Sequence, residues 1–209
     1  MSTTSEQSER PAPRKRVPAE ERREDVLRVA AEVIARDGMH AASTAEIAKR
    51  AGISHAYLFR LFPKKEDLLL AVSHRCGDAM HQAMIHAGER AKALGEDPLV
   101  AMAAEWTNQL SDHTNLLVSL QSITASRSIP ELGDRLRTAW GEVVDDIARL
   151  SGGSPAEVRA FIAQGMLLQV IAALGAEQSE WATWLHEGPL PCGTDDPMPA
   201  VTRVIGRST

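Results

Sequence analysis

The chain has 209 residues, a net charge of −5 and only 4% aromatic residues, a length that allows one or two domains with a real core. Its apolar runs are short and interrupted, which argues against a membrane span. Its two cysteines, Cys76 and Cys192, lie far apart in no CxxC pattern, which argues against a disulfide framework and for a reducing cytoplasm.

Charge is unevenly placed. Through Asp78, fourteen Lys/Arg stand against twelve Asp/Glu; beyond it, nine stand against sixteen. A weakly basic front thus precedes an acidic body, and only the front suits an anionic polymer. Residues 1–18, MSTTSEQSERPAPRKRVP, hold almost nothing apolar and are expected to be a disordered basic arm. No apolar stretch follows Arg10, Arg14, Lys15 and Arg16, so the arm is not a secretory signal. The Arg14-Lys15-Arg16 cluster reads either as an arm for a minor groove or phosphates, or as a solubilising tail.

Helical periodicity governs the rest. A first helix is predicted over 19–37, with Val26, Ala30, Val33 and Ile34 on one face and Gly38 as its stop. A short second helix runs from about Thr44 to Ala51, with Ile47 and Ala48 inward. The stretch AGISHAYLFRLFPKK (51–65) then supplies a glycine turn, a capping Ser54 and a third helix. Leu58, Leu61 and Phe62 form its buried edge, leaving His55, Ala56, Tyr57 and Arg60 toward solvent. Two short helices joined by a tight glycine turn make a helix-turn-helix, whose second helix can offer donors to base edges in a major groove. The same geometry also fits a plain corner of a helical bundle.

The span from Arg23 to Val72 resembles the DNA-binding domain of TetR-family transcriptional regulators. The resemblance rests on R23-EDVL, the DG at 37–38, Thr44, the IA..AG.S pattern from Ile47 to Ser54, an aromatic pair and F62-P-K-K-E-D-L68. It implies that Thr44 caps the second helix and contacts a phosphate, and that Lys65 is another phosphate contact at the positive end of the fourth helix. It further implies a DNA-binding set of Thr44, Ser54, His55, Ala56, Tyr57, Phe59, Arg60, Lys64 and Lys65. Phe59 stands where the family usually has tyrosine, Tyr57 where threonine or alanine is common, and Leu61 where histidine is frequent. Backbone contacts are therefore expected to be rearranged.

A long fourth helix starts near Lys65, with Leu68, Leu69, Val72, Cys76 and Met80 buried. Asp97-Pro98 and Ser154-Pro155 each place a capping side chain before proline at a helix start, and Ser154 with Glu157 fits a capping box. Further helices are expected near 98–112, 115–127, 131–150, 155–174 and 178–187, followed by an irregular tail over 188–209. Between Phe161 and Leu174 the only polar side chains are Gln164 and Gln169, so this helix should be buried on every side, yet too short and interrupted to span a membrane.

The fold expected is all-α: a three-helix helix-turn-helix bundle (19–64) joined by the long fourth helix to a helical ligand-binding and dimerisation bundle (65–187). The resemblance favours a dimer built on the apolar helix, with Phe161, Gly165, Leu168 and Ala172 at the interface, and two recognition helices about 34 Å apart facing the half-sites of a palindrome. Candidates for a pocket holding a small, mostly apolar effector are Met102, Trp106, Gln109, His113, Leu117, Gln121, Trp140 and Met166, though each also reads as core filling. No nucleophile elbow or phosphate-cradling glycine loop points to an enzyme. His74, His81 and His86 lack the i, i+4 spacing of a metal pair, so neither metal nor cofactor is expected. The function implied is a homodimeric regulator, most simply a ligand-responsive repressor, on a double-stranded DNA operator. The alternatives are a regulator governed by a protein partner or constitutively, and a helical scaffold that binds no duplex.

Overall fold

The computed structural model describes residues 18–187; the basic arm with Arg14-Lys15-Arg16 and the 188–209 tail lie outside the described residues. Within them run nine helices and no strand: α1 (Ala19–Asp37), α2 (Thr44–Arg50), α3 (His55–Leu61), α4 (Lys65–Ala93), α5 (Pro98–Gln109), α6 (His113–Ala125), α7 (Pro130–Ser151), α8 (Pro155–Ala173) and α9 (Glu180–Glu187).

Local chemistry sets the starts. Asp97 accepts from the Leu99 amide at 2.9 Å, and Ser154 and Glu157 exchange both bonds of a capping box. Asp112 accepts from the amides of Thr114 and Asn115, so α6 begins at His113, two residues before the sequence expectation. Each such cap contributes about 1 kcal/mol. Proline at the first helical position adds a preset φ to α5, α7 and α8 without forfeiting a needed donor.

The front core gathers Val26, Val33 and Ile34 of α1 with Ile47, Leu58, Phe62, Leu68 and Val72. Residues of the rear complete it: Val118 and Ala125 of α6, then Ile129 and Leu132. Salt bridges Arg36–Glu46 (2.8 Å) and Arg50–Glu32 (2.5 Å) brace α1 against α2 from outside. A second core in the rear is built on Met84, Met102, Trp106, Ile147 and Phe161.

In α8 the two glutamines are buried, Gln164 at 9% and Gln169 at 2% exposure. At 19 residues the helix is long and apolar enough to cross a membrane, contrary to the sequence expectation, yet it packs in the bundle against α5, α6 and α7. The four side chains expected at a dimer face turn into the protomer. Phe161 packs on Trp106 with centroids 5.5 Å apart, Gly165 lies under that indole, and Leu168 and Ala172 join the same core. The cause is the bulk of Trp106: a Cβ at position 165 would sit 2.6 Å from three of its ring atoms, so the glycine must face the indole. The outward stripe is instead Met166, Val170 and Leu174, at 39%, 47% and 66% exposure.

Candidate nucleic-acid interface and rear cavity

The turn between α2 and α3 depends on Gly52, whose φ of +66° an L side chain rarely adopts. The chain is then extended at Ser54, whose hydroxyl accepts from the Tyr57 amide at 3.1 Å and starts α3. Leu58 and Phe62, 1% and 3% exposed, pin α3 to the front core; burying two such side chains is worth roughly 4 kcal/mol. Arg23 adds a guanidinium 5.0 Å from the Phe62 ring centroid, tying α1 to the end of α3. That gives the arginine of the sequence motif a structural task that periodicity did not disclose.

With that edge fixed, His55, Ala56, Phe59 and Arg60 are exposed and Tyr57 is half-buried. The Thr44 hydroxyl lies 2.9 Å from His55 Nε2, linking the start of α2 to the start of α3. His55 meets Phe59 edge-on at 4.9 Å, and the Arg60 guanidinium rests 4.5 Å from the Tyr57 ring centroid. Both long side chains are thus steered by aromatic neighbours, which reduces the rotamer entropy lost on meeting a groove.

Two implied roles change. The cap of α2 is Ser43, extended at φ −88° and ψ 119° and accepting from the Glu46 amide; Thr44 already has its place inside the helix. Lys65 Nζ donates to the His40 carbonyl at 2.6 Å and is half-buried, whereas Lys64 is exposed at the start of α4. Lys49, exposed near the end of α2 and in no ion pair among the described residues, was not among the sequence candidates. In sequence it is a basic side chain about one turn before Gly52.

Behind this bundle lies a cavity of about 480 Å³. Its exposed rim is carried by α4 and α7, through His74, Asp78, Asp134, Arg135 and Glu142, and its floor by Met84, Trp106, Ser122, Leu132 and Gln169. Of the eight pocket residues expected from sequence, Trp106 and Trp140 line it. The other six do not, for visible reasons. Met102 fills the core beneath Gly88; Gln109 bonds Glu105 at 2.7 Å; His113 is exposed at the start of α6; Leu117 is half-buried outside the lining. Gln121 donates to the Ala35 carbonyl at 3.3 Å, joining α6 to α1, and Met166 points outward. The sequence reading took its candidates from 98–150 and α8, whereas α4 and α7 together supply most of the wall.

On α4, His74 pairs with Asp78 at 2.9 Å and His81 with Asp146 of α7 at 3.1 Å. A hydrogen bond from Arg149, and secondarily His81, holds the Asp146 carboxyl below its ordinary range. Among the described residues no three His, Cys, Asp or Glu side chains converge as a metal ion requires. Burial pushes the Cys76 thiol up to about 11, which keeps it protonated and unreactive at neutral pH.

Residues 26–72 match the family described as "Bacterial regulatory proteins, tetR family". The chain is 25% identical over 138 residues to the nicotine-responsive transcriptional repressor HdnoR of Paenarthrobacter nicotinovorans, covering 65% of this chain and 70% of that protein. It is 47% identical over 60 residues to the transcriptional activator FasR of Mycolicibacterium smegmatis, covering 29% of this chain and 27% of FasR. A TetR-like transcriptional regulator from Rhodococcus sp. RHA1 superposes with a TM-score of 0.63 at 18% identity, over 91% of this chain and 94% of that one, which shows a shared fold. The α1–α4 motif, the all-α architecture and these likenesses agree: residues 26–72 carry the DNA-binding domain of the TetR family, on a chain with the fold of TetR-like transcriptional regulators.

Proposed function

We propose that the protein is a cytoplasmic, homodimeric repressor that releases a palindromic operator when a small, mostly apolar effector enters the rear cavity. The observation that carries this reading is the double duty of α4. Its first turns hold Leu68, Leu69 and Val72 in the front core, and the same helix from Leu70 to Met84 walls the cavity. A regulator without an effector would be better served by a closed rear bundle, so the cavity favours ligand control. The likeness to HdnoR, described as a nicotine-responsive repressor, supports repression relieved by a small molecule.

On DNA, His55, Ala56, Tyr57, Phe59 and Arg60 of α3 face the major groove, with Arg60 the side chain best suited to pair with a guanine edge. Thr44, Ser54, Lys64 and Lys49 approach phosphates. Lys65 reaches a phosphate only on leaving the His40 carbonyl. The stripe Met166–Val170–Leu174 of α8 pairs with its symmetry mate, which sets the spacing of the two α3 helices. Effector binding tilts α4, changes that spacing, and one half-site can no longer be held together with the other.

Selection of the purified protein against random duplex DNA tests the core of this reading. A palindrome should emerge, and Arg60→Ala should flatten base preference at one position per half-site, at a cost of about tenfold or more. Binding that is salt-sensitive but indifferent to sequence would overturn it.

A further inference from the structure

The floor of the rear cavity carries two polar atoms that no protein group satisfies. The side-chain oxygen of Gln169 and the indole N–H of Trp106 are both buried without a hydrogen-bond partner among the described residues, on side chains only 2% and 3% exposed. Both residues line the same cavity, one from α8 and one from α5. Buried polar groups normally find partners, because an orphaned donor or acceptor loses its hydration with nothing in exchange. Here the two orphans are complementary: one accepts and one donates.

The other floor residues, Met84, Ser122 and Leu132, carry no charge. Met84 and Leu132 line the same cavity, the Ser122 hydroxyl is spent on the Val118 carbonyl at 2.7 Å, and the half-buried His81 in the α4 wall is paired with Asp146. A charged headgroup brought to this depth would lose its water without gaining a counter-ion. The rim adds a sign preference, since Asp78, Asp134 and Glu142 outnumber Arg135 there.

From this we infer the chemical class of the effector: an uncharged apolar molecule bearing one group that both donates and accepts a hydrogen bond, such as a phenol, alcohol or amide. That group donates to Gln169 Oε1 and accepts from Trp106 Nε1 while the hydrocarbon body fills the space against Met84 and Leu132. Carboxylates are disfavoured twice, by the floor and by the rim. The inference rests on reading the cavity as an effector site.

Isothermal titration with naphthalene, 2-naphthol and 2-naphthoate tests it on the wild-type chain without any substitution. The phenol should bind about tenfold tighter than the hydrocarbon, the increment of a satisfied buried pair, and the carboxylate at least about tenfold weaker than the phenol. Gln169→Leu should erase the gap between phenol and hydrocarbon, and Trp106→Phe should narrow it several-fold, with helical circular dichroism confirming that each variant is folded. Equal binding of phenol and hydrocarbon would mean that water serves the two atoms as well as a ligand does. That result, tightest binding by the carboxylate, or no binding by any of the three would overturn the inference. Duplex binding measured alongside separates the two readings. The expected order without loss of DNA affinity leaves the ligand class standing and sinks ligand-responsive repression; DNA release by 2-naphthoate alone does the reverse.

Discussion

Replacing Gly165 by alanine places a methyl group 2.6 Å from three carbon atoms of the Trp106 ring. That is about 1 Å inside an ordinary carbon–carbon contact. The indole is 3% exposed and packed on Phe161, and the free volume beside it is the cavity, so the ring must move in that direction. Two opposing effects set the magnitude. Alanine favours a helix interior over glycine by about 1 kcal/mol, while overpacking a rigid core costs roughly 1–3 kcal/mol. With a flat, buried ring as the obstacle the second effect should win, leaving a net loss of about 1 kcal/mol and a cavity that binds 2-naphthol several-fold more weakly. Urea unfolding at fixed protein concentration gives the first quantity, calorimetric titration the second, and tryptophan emission reports the displaced indole. A gain of stability near the helix-propensity value, with unchanged emission, would refute the contact between Gly165 and Trp106. Weaker self-association by sedimentation, with stability and emission intact, would put Gly165 on a subunit interface instead.

Val170→Glu should shift the protein toward monomer in sedimentation velocity while leaving its circular dichroism intact, because Val170 is 47% exposed in the middle of the outward α8 stripe; an unchanged dimer would place the interface elsewhere. Asp146→Asn breaks the links to Arg149 and His81 and should cost about 1 kcal/mol at neutral pH. Because that carboxyl is held below its ordinary value of 3.8, its stabilisation is present above pH 3.8 and is lost as pH falls through the lower folded value; the variant should therefore show a flatter acid limb in pH-dependent melting. For Cys76, raised from 9.0 to about 11, the sign is opposite: its contribution is full below pH 9.0 and disappears as pH rises through about 11. In a Cys192→Ser background, disulfide-exchange reagents at pH 8 should leave the folded protein unlabelled and react promptly in urea; rapid labelling of the folded form would contradict the burial.

Much of the front was legible because its signals are local. Val26, Ala30, Val33 and Ile34 are set by helical period, Gly52 by backbone sterics and Ser54 by capping, and none needs a distant partner. Facing in the rear was not legible, because α8 is apolar on all sides and periodicity cannot say which side meets the core. Trp106 on another helix decides that, by requiring a residue without Cβ beneath it. Most of the individual cavity-lining residues were missed for a related reason. His74 and His81 were weighed, with His86, as a failed metal pattern, while their place in the cavity lining depends on α7 lying opposite them. Likewise the task of Lys65 depends on the His40 carbonyl, twenty-five residues away in sequence.

These long-range contacts also bear on how the rear could act on the front. The α1–α3 bundle does not close its own core: Val118, Ala125, Ile129 and Leu132 are buried within it, and Gln121 bonds the Ala35 carbonyl. Ser128 lies 2.9 Å from His40 Nε2, and the carbonyl of the same histidine takes the Lys65 ammonium. The α6–α7 turn and the start of α4 are therefore fastened to one residue of the front bundle. Ser119, Ser122, Ile123 and Leu132 belong at once to this junction's helices and to the cavity wall. A ligand that spreads α4 from α7 must strain either the packing of α6 on α1 or the grip of Lys65 on His40. Packed cores repack between discrete arrangements more readily than they stretch. The weaker, solvent-reachable bond of Lys65 should then break first, freeing that ammonium as α4 moves while α6 stays seated on α1.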